Sequence, residues 1–144
     1  EMKCLTVRQP FATLIAIDAK KIETRSWKTS YRGILGIHAA SIFPKDRQHL
    51  CYTEPFRTAL LKAKGMHNPS ALPSIYDLPR GCIIATVNLT DIIDISHARL
   101  RATPQELAFG DYSLGRWGWI LEDITPLAVP IYTKGRLGLW QYID

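Results

Sequence analysis

Apolar positions along this chain switch between a spacing of two and a spacing of three to four. That alternation lays out its elements. Residues 4–7 read as a short strand. Gln9 and Pro10 then open a helix, with Pro10 suited to the first helical position. Phe11, Leu14, Ile15 and Ile17 form its apolar stripe, and it ends near Asp18 to Lys20. Residues 22–27 alternate loosely, as in a strand, and residues 28–33 form a turn. Residues 34–40 give the clearest buried strand. Residues 44–64 carry a helical pattern interrupted near Pro55, because proline lacks the amide donor.

Residues 65–79 are rich in Pro, Ser and Asn and predict a long surface loop. Arg80 and Gly81 lead into a long strand over 82–95, with Val87, Leu89, Ile92 and Ile93 as core positions. Thr103, Pro104 and Glu106 mark a helix start. Thr caps, Pro takes the first turn, and Glu106 can reach back to the cap amide. Residues 110–116 form a loop, and strands follow over 117–124, 127–132 and 139–143. Many strands with few helices and no regular alternation predict an α+β fold. Its sheet is mixed and curved, or closed into a small barrel, with helices packed on it. No repeat or linker divides residues 1–144, so one domain accounts for the chain.

Composition adds little to that outline, whereas charge adds a direction. The chain carries 18 Lys and Arg against 13 Asp and Glu, a net +5, which favours polyanionic partners. Cys4, Cys51 and Cys82 are scattered and odd in number. They match neither a zinc site nor a disulfide framework, and they fit a reducing, cytoplasmic setting. Cys4 and Cys82 lie in apolar runs, while Cys51 is expected to be partly exposed. The apolar run 11–17 is too short to span a membrane, and no signal peptide is visible. His38, His49, His67 and His97 lack paired ligand spacing, so no metal is expected. His38, inside an apolar strand, reads as a core or cleft-edge histidine. Phosphate loops, dinucleotide fingerprints and nucleophile elbows are absent, which argues against a nucleotide cofactor.

Functional groups concentrate in residues 18–27. Glu23 stands between Lys20 and Arg25, and a carboxylate so flanked stays ionised and can orient both cations. Trp27 follows Arg25, and Trp117 follows Arg116. Indole faces stack on bases while guanidinium groups hold phosphates. In Trp117-Gly118-Trp119 both indoles fall on one face of a strand. Gly118 leaves the other face open to a backbone or a flat ligand. The plainer reading makes these indoles core residues and the charge cluster a solvated helix end.

Residues 18–25, Asp18-Ala19-Lys20-Lys21-Ile22-Glu23-Thr24-Arg25, resemble the G-x-K-x-x-E-x-R pattern of the ASCH domain family. They match at Lys20, Glu23 and Arg25, and Asp18 replaces the glycine. Residues 5–12, 23–27, 31–40, 109–117 and 134–140 resemble further blocks of that family in the same order, leaving residues 43–80 unmatched. The resemblance implies a PUA-like fold, a small twisted β-barrel with flanking helices and a cleft beside the first helix. It also implies a link to RNA or other nucleic acid, since the related EVE and YTH domains hold a base between aromatic walls. Some members act as ribonucleases, or as amidohydrolases on acylated cytidine. The amidohydrolases pair a Lys at the position of Lys20 with a Thr where this chain has Glu23.

Three functions follow as expectations. The first is binding of single-stranded RNA, or a plain or modified nucleotide within it, in a basic Trp-lined cleft; DNA is an alternative ligand. Arg8, Lys20, Arg25, Arg32 and Arg116 then hold phosphates, and Trp27 and Trp117 stack on an unpaired base. The second is hydrolysis in the same cleft, with Lys20, Glu23 and Asp111 as catalytic groups. The third is a protein adaptor that uses the loop over 65–79.

Overall fold

The computed structural model describes residues 1–144. Six strands form one sheet: β1 (Met2–Val7), β2 (Ile22–Arg25), β3 (Gly33–Ala39), β4 (Cys82–Asp94), β5 (Trp117–Tyr132) and β6 (Leu139–Tyr142). Their spatial order is β2-β5-β4-β3-β1-β6. Only β1 and β3 run parallel, and the connection between them carries helix α1 (Phe11–Ala16) together with β2. The sheet curls until β2, at one edge, reaches β1 near the other. There the Arg25 side chain donates to the Thr6 carbonyl at 2.9 Å. The fold is therefore α+β, a partly closed barrel with helices against it, as the pattern predicts.

Helix α1 fills the curl. Its Ala12 and Ile15 are buried with Leu5, Val7, Leu35, Ile37, Val87 and Trp119 in the main core. Each such aliphatic contributes about 1.5–3 kcal/mol on burial, and this holds so short a helix in place. Its other side turns Leu14 toward Phe43, Cys51, Phe56, Leu60 and Phe109. Phe43 and Cys51 flank helix α2 (Lys45–Leu50), Phe56 and Leu60 belong to helix α3 (Phe56–Lys62), and Phe109 ends the segment that follows Thr103. Pro55 separates α2 from α3, as expected. Residues 65–79 form the predicted loop, apart from a single 3-10 turn at Ile75–Asp77. No helix is long and apolar enough to cross a membrane.

Four details depart from the pattern. Helix α4 (Ile95–Arg101) follows β4 directly, started by Asp94, whose carboxylate accepts from the Ser96 amide. Residues 117–132 form one strand, not two. The ladder runs through Thr125 and Pro126 with register shifts, and Asp123 takes a positive φ of 51°. Cys51 is buried rather than partly exposed, because α2 turns it into the second cluster. Val87 and Leu89 are buried as predicted, while Ile92 and Ile93 are half-buried against flanking clusters.

The bare face at Gly118 is filled from within the chain. A Cβ there would stand 2.6 Å from the Ala98 Cβ, so α4 itself uses the close approach. Helix α5 (Pro104–Ala108) begins at Thr103, whose hydroxyl accepts from the Glu106 amide. The Glu106 carboxylate does not return to the cap. It crosses to the backbone amides of Lys21 and Ile22.

Candidate functional site

The site begins where α1 ends. Asp18 takes φ 65°, the left-handed conformation that the glycine of the pattern adopts freely and Asp tolerates. The chain then reverses. The amides of both Ala19 and Lys20 donate to the Leu14 carbonyl, which turns the Lys20 side chain inward. Lys20 is only 1% exposed. Its ammonium donates to the carbonyls of Ile22 (2.7 Å) and Phe109 and lies 3.6 Å from Glu23 Oε1. Two carbonyl acceptors and one ionic partner thus surround the ammonium. Burial pushes its pKa below the ordinary lysine range, against the pull of Glu23 and Glu106.

Glu23 and Arg25 alternate on one face of β2, and Arg25 Nε donates to Glu23 Oε2 at 2.8 Å. Burial alone would raise the Glu23 pKa. The charges and hydrogen bonds of Arg25 and Lys20 outweigh it and hold the carboxyl below its usual range. Thr24 points the other way. Its hydroxyl accepts from the Asp111 amide and its carbonyl from Arg116 Nη2. Arg116 also donates to the Asp111 carbonyl at 3.0 Å and lies 3.7 Å from its carboxylate. The Ser113 hydroxyl and amide hold the Asp111 pKa below its ordinary value.

The loop between β5 and β6 forms the opposite wall. Gly135 sits so close to β1 and β3 that a Cβ would fall 2.6 Å from both His38 Cε1 and Thr6 Oγ1. His38 Nε2 donates to the Thr133 carbonyl at 2.7 Å, so Nδ1 accepts from the Thr6 hydroxyl at 3.1 Å. That hydroxyl accepts in turn from the Trp140 indole. Burial pushes the His38 pKa down, with the Thr133 carbonyl opposing. His38 is thus both a core residue and a cleft-edge one, satisfied in its neutral form. Apolar groups of the cleft come from Phe11, Phe56, Phe109 and Leu50. The Arg47 guanidinium, projecting from α2, stands 5.7 Å from the Phe11 ring centroid, and its buried Nε has no acceptor.

Together these walls enclose an open cleft of about 1150 Å³. Six cations line it: Arg8, Arg25, Arg47, Arg116, Lys134 and Arg136. Its two carboxylates, Glu23 and Asp111, already face Arg25 and Arg116. Arg8, Arg47, Lys134 and Arg136 form no ion pair. No cluster of three or more His, Cys, Asp or Glu side chains is placed to hold a metal ion.

Of the residues singled out from sequence, Arg8, Glu23, Arg25, Asp111 and Arg116 converge on this cleft. Lys20 lies beside it, sealed under backbone. Arg32, Trp27 and Trp117 are not part of its lining. Arg32 donates to the Thr29 and Tyr31 carbonyls and faces Asp91 at 3.9 Å. Trp27 packs edge-on to Trp119 at 4.8 Å, and Trp119, fully buried, donates its indole N–H to the Trp27 carbonyl. The Lys28 ammonium stands 4.3 Å from the Trp117 ring centroid. The aromatic side chains that line the cleft are therefore phenylalanines rather than tryptophans, and of these only Phe11 is partly exposed. Arg47, Lys134 and Arg136 are the cations that sequence reasoning missed. Lys134-Gly135-Arg136, a basic turn between two strands, was the available signal for two of them.

A family model for the ASCH domain matches residues 5–132. Human activating signal cointegrator 1 is 34% identical over 90 residues, and its mouse counterpart 33%. The match covers 62% of this chain but only 14% of the length of each of those proteins. The crystal structure of ASCH from Zymomonas mobilis aligns with a TM-score of 0.49 at 15% identity. That alignment covers 90% of this chain and 72% of the other. With the family pattern extending from β1 to the end of β5, the chain belongs to the ASCH domain family.

Proposed function

We propose that this domain binds single-stranded RNA, or a nucleotide within it, along the cationic cleft. One observation carries the reading: six cations line a single cleft whose two carboxylates are already engaged. Such a surface attracts phosphates through counterion release. Arg8, Arg25, Arg47 and Arg116 would hold the backbone, and the half-buried phenyl ring of Phe11 gives an unpaired base a flat apolar surface. The Glu23 carboxylate keeps Arg25 in place, and Lys20 holds the floor. The same geometry favours binding over hydrolysis, since the Lys20 ammonium is fully engaged and Glu23 is held ionised between two cations.

Titration of a labelled eight-nucleotide RNA at about 50 and 200 mM salt tests the proposal. Four phosphate contacts predict a loss of affinity of roughly fiftyfold between the two. The same sequence as single-stranded DNA reports whether the 2′-hydroxyl contributes. Absence of binding at the lower salt overturns the reading.

A further inference from the structure

The loop that walls the cleft has a second cavity behind it. This cavity, about 440 Å³, is lined by Lys134, Arg136, Trp140, Gln141, Tyr142 and Ile143, with Thr133 and Gly135 of the loop backbone. Thr133, Lys134, Gly135 and Arg136 line both cavities, so the loop is a shared wall rather than an outer boundary. No carboxylate lines the second cavity. Lys134 and Arg136 are exposed and free of ion pairs. Tyr142, at the end of β6, offers a half-buried aromatic ring beside them. The main cleft alone, at about 1150 Å³, already exceeds the ~300–1,000 Å³ usual for one small ligand.

From this we infer that the ligand is a polymer. A single strand lies in the main cleft, crosses the loop at Lys134 and Arg136, and places a further nucleotide in the second cavity against Tyr142. The inference rests on the nucleic-acid reading above and narrows it from nucleotide to strand. The loop is fixed for this role. Gly135 packs on His38 and Thr6, and His38 holds the Thr133 carbonyl, so the two cations are presented from an anchored segment.

The test compares a 5′-phosphorylated uridine dinucleotide with an eight-nucleotide oligouridylate, on the unaltered protein and on Ile143→Glu. Ile143 is 70% exposed and lines only the second cavity, so the substitution adds a negative charge there without touching the main cleft. The octamer is expected to bind at least about tenfold more tightly than the dinucleotide, beyond the gain from its extra registers. Ile143→Glu is expected to weaken the octamer about fivefold and leave the dinucleotide unchanged. Equal affinity for the two lengths overturns the strand path, and so does an octamer indifferent to Ile143→Glu. In either case a dinucleotide that binds keeps the cleft proposal intact. If neither ligand binds, the cleft proposal fails and this one with it.

Discussion

Single residues decide whether the cleft floor forms. Asp18 stands where the family pattern has glycine and accepts a φ of 65°. A β-branched side chain at that angle costs about 1–2 kcal/mol, so Asp18→Val should lower the urea midpoint accordingly. Asp18→Gly should stay within about 0.5 kcal/mol, the backbone relief being offset by a freer unfolded chain. Glu23 makes a second prediction, in pH. Its folded pKa lies below the ordinary 4.5. Its ionised form therefore contributes stability that is fully present above that value and lost as pH falls through the folded pKa. Glu106 has the opposite sign: burial raises its pKa, and the folded state takes that proton first as pH falls. Comparing urea midpoints of the unaltered protein and Glu23→Gln from pH 7 to pH 2.5 separates the two. The advantage of the carboxylate should hold near neutrality and shrink only below about pH 4.5. A constant advantage down to strong acid would contradict the assignment.

At the scale of elements, legibility followed whether a segment's partner was its own sequence or a distant one. The buried run of β3, the stripe of α1 and the break at Pro55 are local signals, and the structure contains each of them. Helix α4 was not legible because its apolar residues are few; Ile95 and Ala98 become buried only against Ile22, Tyr112 and Ile120. The Asp94 cap was the one local clue. The division of β5 at Thr125 and Pro126 failed because register shifts let the ladder absorb a proline. The site divides in the same way. Lys20, Glu23 and Arg25 are neighbours in sequence, while Arg47, Lys134 and Arg136 reach the cleft from elements that only the fold brings together. Trp27 and Trp117 lie outside the cleft lining, because stacking chemistry and core packing ask for the same residue type and both pack half-buried against the main core. The contact between α4 and β5 gives a prediction at this scale. Gly118→Ala forces its Cβ against Ala98 and should cost about 1–3 kcal/mol. Adding Ala98→Gly reopens the space, so the double variant should be more stable than Gly118→Ala alone, despite about 1 kcal/mol of lost helix propensity. Denaturation of the four proteins of the cycle measures the coupling.

For the molecule as a whole, what matters is how its charge is distributed. A net +5 is a mild excess, and spread evenly it would attract polyanions only weakly. The fold instead gathers six cations around one cleft and leaves Arg8, Arg47, Lys134 and Arg136 without an ionic partner. Location should then matter more than number. Arg8→Gln and Arg47→Gln each remove one charge from the cleft, and each should reduce the salt slope of RNA binding by about 0.7, alike for every sequence tested. Arg99→Gln and Arg101→Gln remove the same charge from exposed positions on α4, outside the cleft, and should leave the slope unchanged. Arg47 carries an extra expectation, because its guanidinium lines the cleft beside the Phe11 ring, 5.7 Å from the centroid. Arg47→Lys should bind more weakly than the native protein even with the charge kept, since an ammonium cannot reproduce the planar fork of the guanidinium. Equal slopes for the cleft and α4 variants would mean that the attraction belongs to net charge rather than to the cleft.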